Sequence, residues 1–134
     1  MQRPAPTIAK YMTLSPHTIG AERTLAQAQE VMQAHGLRNL PVLREGKLVG
    51  MVTDRDVRLL ESMEDVDPKL ITISDAMEPQ VYTCAPDARL DEVALQMGTR
   101  KCSAAVVMQG SDVVGIFTTV DACLALTDLL RSVA

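Results

Sequence analysis

The sequence has very few aromatic residues. Only Tyr11, Tyr82 and Phe117 occur, with no Trp, about 2% of 134 residues. A base-stacking platform for single-stranded nucleic acid needs more. Positive charge is scarce too: 13 basic residues face 17 acidic ones, for a net charge of −4. That is the wrong sign for a protein that binds by neutralising phosphates. No apolar run approaches the ~18 residues of a membrane span. The opening MQRPAPTIAK lacks an apolar signal core. The expectation is a soluble, cytoplasmic protein with neither a nucleic-acid nor a membrane partner. Cys84, Cys102 and Cys123 are too far apart, and odd in number, for a disulfide framework. They read as small buried hydrophobes. His17 and His35 are distant in sequence and read as exposed or helix-end residues. Too few ligands cluster for structural zinc. There is no GxSxG, HExxH or P-loop. Neither a metal site nor a catalytic constellation is expected, so the chain does not read as an enzyme.

What is present is a core-forming composition, 47% hydrophobic, arranged as a repeat. Sliding the chain on itself by 65 residues gives twelve identical pairs without a gap, against roughly four expected by chance from ordinary residue usage. The pairs include Ile8/Ile73, Met12/Met77, Leu25/Leu90, Met32/Met97, Gly50/Gly115, Thr53/Thr118 and Asp56/Asp121. The shift is about half the chain, so there are two copies of one unit.

Each unit reads as β-α-β-β-α. In the first, Thr18-Ile19 is extended after Pro16. Thr24 is an N-cap, and Leu25, Ala28 and Met32 form one helix face ending at Gly36. Leu40–Leu43 and Leu48–Val52 form a hairpin about Glu45-Gly46, and 54–61 is helical. The second unit repeats this, with Leu90, Val93 and Met97 on its first helix and a final helix over about 119–131. The assignment is 1–61 for the first unit, 62–69 for an acidic linker and 70–134 for the second. A single ~60-residue unit buries little surface. An α/β (α+β) fold is expected, with two units related by pseudo-twofold symmetry, sheets packed together and helices outside. Leu59, Leu60, Leu124 and Leu129 exceed what one pair can bury, which points to a homodimer.

The strongest motif is Gly50-Met51-Val52-Thr53-Asp54-Arg55-Asp56, repeated as Gly115-Ile116-Phe117-Thr118-Thr119-Val120-Asp121. A Thr N-cap with an acid three residues on makes a capping box, and an Asp in the first turn suits the helix dipole. The same carboxylate can accept two hydrogen bonds from a vicinal diol such as a ribose. The glycine permits close backbone approach.

With Ile8-Ala9-Lys10-Tyr11-Met12-Thr13 and Gly36-Leu37-Arg38-Asn39-Leu40-Pro41-Val42, these segments resemble a cystathionine-β-synthase (CBS) domain pair, or Bateman module, over about 7–126. The resemblance implies a non-catalytic regulatory module. It would sense an adenine nucleotide (AMP first, or ADP, ATP or S-adenosylmethionine) in a cleft between units, and need no other cofactor. It implies that Thr53, Asp56, Thr118 and Asp121 hold ribose hydroxyls. Thr18, Ile19, Pro41, Val42, Thr83, Cys84, Val106 and Val107 would surround the adenine. The second unit departs from the family pattern: Glu78 follows Met77 where Thr is expected, Val106 replaces Pro, and Thr119-Val120 replaces Asp-Arg. Arg55, with Arg58 and Arg38, would serve phosphate in the first site, where the second has Val120 and Cys123. Arg100 and Lys101 are the second site's substitutes. The chain ends soon after the second unit, so output is expected through a dimer or an effector protein. The other reading is a ligand-free module that mediates homo-oligomerisation.

Overall fold

The computed structural model describes residues 4–133; positions 1–3 and 134, the outer ends of the two sequence units, lie outside it. The chain opens with one 3-10 turn, Ile8–Lys10, and a short strand β1 (Thr13–Leu14). The first repeat then runs β2 (Ile19–Gly20), α1 (Leu25–His35), β3 (Asn39–Arg44), β4 (Lys47–Thr53) and α2 (Asp54–Glu61). A short helix α3 (Ile73–Ala76) precedes the second repeat: β5 (Thr83–Cys84), α4 (Leu90–Arg100), β6 (Ala104–Gln109), β7 (Asp112–Thr118) and α5 (Thr119–Ser132). The β-α-β-β-α order expected from the repeat is therefore present twice.

Local chemistry accounts for the boundaries. The Thr24 hydroxyl accepts from the Gln27 amide at 3.2 Å, and Gln27 Oε1 accepts from the Thr24 amide at 3.0 Å. This reciprocal box starts α1. Gly36 ends it in the left-handed region, at φ 64°. Glu45 and Gly46 both take positive φ, 52° and 79°, which suits the tight turn of a two-residue hairpin. The buried stripe of α1 is Leu25, Ala28 and Met32, and that of α4 is Leu90, Val93 and Met97.

The first repeat's sheet has the order β2-β3-β4, with β2 parallel to β3 and β4 antiparallel to it. The second has four strands, β1-β7-β6-β5. The added strand β1 pairs Thr13 with Ile116. The corresponding position in the first repeat forms only a single bridge, Met51 to Glu78. Sequence patterning missed β1 because two residues carry no periodicity.

The repeat boundary and the packing boundary differ. One compact unit is His17–Val81; the other joins the segment up to Pro16 to the run from Tyr82. Each repeat's leading segment therefore packs on the other repeat. Ile73 lies in the core with Leu25, Leu40, Val52 and Val57. Ile8 lies in the core with Leu90, Val93, Val107 and Phe117. Backbone bonds hold both exchanges. Leu25 N donates to Ile71 O at 2.9 Å and Ile73 N to Arg23 O at 2.8 Å. Ile8 N donates to Ala88 O and Leu90 N to Pro6 O, both at 2.9 Å. The division at 62–69 follows the sequence repeat, whereas the cores are completed by residues from across it. Leu60 and Leu129 also depart from expectation, since both pack against these cores rather than standing outside.

The motif glycines are explained by this exchange. A Cβ on Gly50 would collide with the Met77 thioether and lie 2.9 Å from the Glu78 carbonyl oxygen. A Cβ on Gly115 would lie 2.8 Å from Met12 Sδ and 3.0 Å from the Thr13 carbonyl oxygen. Both glycines make room for the crossing segment. Gly98, inside α4, has nothing within 4 Å of its Cβ position. Gly50→Ala and Gly115→Ala should each lose about 1–3 kcal/mol through overpacking. Gly98→Ala should gain about 0.5–1 kcal/mol from helix propensity. Urea denaturation of the three variants checks this; an unchanged Gly50→Ala midpoint would contradict the packing account.

Candidate functional site

The Thr-x-x-Asp junction forms the same constellation twice. In the first repeat, Asp56 N donates to Thr53 Oγ1 at 3.2 Å and Thr53 N donates to Asp56 Oδ2 at 3.1 Å. The Thr53 hydroxyl also donates to Oδ2, at 2.9 Å. In the second, Asp121 N to Thr118 Oγ1 is 3.2 Å, and Asp121 Oδ2 accepts from Thr118 N at 2.9 Å and from its hydroxyl at 3.1 Å. All four residues are half-buried. The capping-box geometry is complete in both, and it spends only one carboxylate oxygen. Each threonine hydroxyl is committed as donor and acceptor, so it positions the aspartate and leaves Oδ1 to face outward chemistry.

The two Oδ1 atoms differ. Asp121 Oδ1 receives the Thr13 hydroxyl at 3.4 Å, a long bond on an exposed surface. The residue in that register of the first repeat is Glu78, whose Oε1 instead accepts from Gln80 N at 3.1 Å. Thr13 was not among the expected site residues. Its signal was the Met-Thr to Met-Glu change between the two leading segments.

The other expected residues separate by face. Ile19 and Val42, and Val107 in the other unit, are part of the cores that pack against the helices, so their side chains are committed to packing. Cys84 packs against the second core, half-buried. Pro41 and Val106 are fully buried but lie between core positions on their strands, hence on the opposite sheet face. Pro41 pairs with Met51 and Val106 with Ile116, two positions along the strand from the partners of Thr53 and Thr118. Thr83 is exposed. Thr18 and Ile19 line a concavity of about 360 Å³ with Arg23, Gln27 and Glu30; Thr53 and Asp56 are not part of its lining.

The basic groups are also sorted. Arg58 Nε lies 3.1 Å from Asp54 Oδ1, with its side chain 78% exposed. It is a solvated i,i+4 partner of modest energetic weight. Arg55 and Arg38 are exposed. Arg100 sits over the Tyr82 ring at 4.8 Å, in cation–π contact. His17 and His35, far apart in sequence, stack with ring centroids 3.8 Å apart. Among the described residues, no group of three or more His, Cys, Asp or Glu side chains could hold a metal ion. No helix among them is long and apolar enough to cross a membrane.

The comparisons with known proteins agree with this fold. The CBS-domain family model matches residues 8–61 and 73–128. The chain belongs to the CBS domain family. It is 26% identical over 105 residues to the CBS domain-containing protein YhcV of Bacillus subtilis (strain 168), covering 78% of this chain and 74% of that protein. It is similar in structure to a Vibrio cholerae protein assigned to acetoin utilization, AcuB, with TM-score 0.84 and 28% identity over 96% of this chain and 95% of that one. It is similar as well to the CBS domain pair of protein MJ0100 in complex with 5′-methylthioadenosine and S-adenosyl-L-methionine. There the TM-score is 0.85 and the identity 26%, over 93% of this chain and 98% of that chain.

The thiols are not equivalent, and Cys123, expected to be buried, is exposed. Burial pushes the Cys84 thiol up to about 11. A thiol raised this way stabilises the fold below its ordinary range, and that contribution is lost as pH rises toward about 11. In native protein at pH 8, Cys123 should react first with Ellman's reagent and Cys84 should stay protected. Peptide mass spectrometry after timed labelling assigns the order. Equal rates at Cys84 and Cys123 would contradict the burial of Cys84.

Proposed function

We propose that the chain is a regulatory module that binds an adenine nucleotide, AMP first, at its Thr-x-x-Asp junctions. It passes the signal on through a homodimer or an effector protein, in the cytoplasm. The observation that carries this reading is the doubled box. Two half-buried carboxylates each accept two hydrogen bonds on one oxygen, from the threonine amide and hydroxyl, and Asp56 keeps the other for a ribose diol. The adenosine-type ligands of the MJ0100 domain pair support the ligand class. In this reading Asp56 and Asp121 bind ribose while Thr53 and Thr118 position them. Thr18, Ile19, Pro41, Val42, Thr83, Cys84, Val106 and Val107 contribute main chain and strand ends around the base. Arg55, exposed on the first turn of α2, meets phosphate. The second site has Val120 in its place, and Thr13 already occupies its carboxylate. It should therefore be the weaker site and accept a less charged adenosine derivative.

Adenine nucleotides should raise the melting temperature of ligand-free protein, by about 2.7 kcal/mol of added stability at 100 times the dissociation constant. Asp56→Ala should weaken AMP binding by roughly 10–100-fold, the worth of charge-assisted hydrogen bonds. Its folding cost should stay within the roughly 0.5–2 kcal/mol of a lost cap. Calorimetric titration and urea denaturation, run side by side, separate the two. Unchanged affinity with lowered stability would return Asp56 to capping alone, and no thermal shift with any adenine nucleotide would favour a ligand-free interaction module.

A further inference from the structure

The second repeat holds a thiol pair that the first lacks. A groove of about 500 Å³ between α4 and α5 is lined by both Cys102 and Cys123. Two backbone contacts bring them there. Lys101 ends α4 in the left-handed region, at φ 57°, and turns the chain so that Cys102 N donates to Met97 O at 3.1 Å. Thr119 N donates to Ser103 O at 3.0 Å, which seats the residue after Cys102 on the first turn of α5. Cys123 follows Thr119 by four residues, one turn along the same helix face. The small residues Ala94, Gly98 and Ala122 keep the groove open. Nothing lies within 4 Å of a Cβ placed on Gly98.

The two thiols differ in the way a redox pair needs. Cys123 is exposed. Cys102 is half-buried, and its thiol donates to the Met97 carbonyl oxygen at 3.9 Å. An accessible thiol meets an oxidant first, and a sheltered neighbour resolves the product. Among the described residues that line the groove, Lys101 alone is charged, so the groove favours an anionic reagent. Cys84 is not part of this lining; it sits on β5 and packs against the second core. At the 65-residue shift the pair corresponds to Leu37 and Arg58. Leu37 packs against the first core and Arg58 pairs with Asp54 in solvent. The thiols therefore do not come with the repeat.

We propose that Cys102 and Cys123 are a redox-reversible pair. A low-molecular-weight disulfide of the glutathione class oxidises them to an intramolecular disulfide across the groove. The Cys123 thiolate attacks one sulfur of the small disulfide and its S–S bond breaks. One small thiolate leaves, and Cys123 carries the mixed disulfide. The Cys102 thiolate then attacks Cys123 Sγ, the mixed bond breaks and the second small thiolate leaves. The two protons given up by the protein thiols end on the two small thiols, and two electrons pass from protein to reagent. An excess of small thiol runs both steps backwards. Closure ties the segment before β6 to the start of α5, two residues beyond Asp121. The pair stands independently of the nucleotide reading.

The test uses the reduced full chain, freed of reductant and incubated with oxidised glutathione. Trypsin cleaves after Lys101 and Arg131, so the peptide 102–131 holds both cysteines and excludes Cys84. Digested without reduction, that peptide should have lost two hydrogens, and dithiothreitol should restore them. A non-reducing gel should show a single chain. Cys102→Ser should stop at a stable glutathione adduct on Cys123, and Cys123→Ser should form no closed peptide. Wild type that accumulates the Cys123 adduct without closing would overturn the pair, because Cys102 would then be out of reach. Wild type that stays reduced, a disulfide-linked dimer through Cys123, or a disulfide that includes Cys84 would each overturn it as well. The wild-type digest decides by itself should a serine variant fail to fold.

Discussion

Each repeat's core is closed by an isoleucine that belongs to the other repeat's leading segment. Ile73 is fully buried in the first core and Ile8 in the second. A β-α-β-β-α unit of about 60 residues has too little interior to be stable unaided. The crossing segments supply the missing side chains, and they do so in register. The isoleucine enters the core, the methionine four residues later lies on the motif glycine, and the next carbonyl hydrogen-bonds or abuts the strand that leads to the site. The strand-to-helix junction is thereby fixed by a segment about 30 residues away in the first repeat and about 100 in the second. Stability and site geometry are one problem in this molecule, because the residues that close the core also set the approach to Asp56 and Asp121.

In the proposed function, the structural device at the junction doubles as a binding device. A capping box needs one carboxylate oxygen and one hydroxyl. Aspartate brings two oxygens, and the box consumes one. The remaining oxygen is held in place by bonds already made, so a ligand that uses it need not order the side chain. Capping therefore leaves the proposed recognition role open at these positions. The two junctions differ through the crossing segments, which place Thr13 against one carboxylate while Glu78 accepts from Gln80.

Duplication leaves the two halves free to differ at their surfaces. Buried positions of the repeats stay matched, as Leu25/Leu90, Met32/Met97 and Val42/Val107 show. Exposed positions have diverged in chemistry: α2 is short, charged and self-paired, while α5 is longer and leucine-rich. Packing constrains the first class and solvent does not constrain the second, so new surface properties can arise without disturbing the cores.

Much of this was legible in the chain itself. The 65-residue repeat, the element order, the Thr24 and Gly36 caps, the Glu45-Gly46 turn and the Thr-x-x-Asp boxes are local in sequence, and each follows from hydrogen bonds or torsions within a few residues. Leu25, Ala28 and Met32 marked a buried face by their spacing alone. Other features depended on residues that only folding brings together. The segment exchange could not be seen, because periodicity reports that Ile8 and Ile73 are buried and not which core receives them. Gly50 and Gly115 invited a ligand explanation, and only the Met77 and Met12 side chains lying over them supplied the packing one. Val42 and Val107 were expected around a base, and strand alternation puts their side chains in the cores, so that in the proposed function they offer main chain alone. Local patterning determined the elements and their caps, since those interactions close over short loops. Tertiary structure decided which segment completes which core and which carboxylate oxygen stays available, since those depend on contacts between residues distant in the chain.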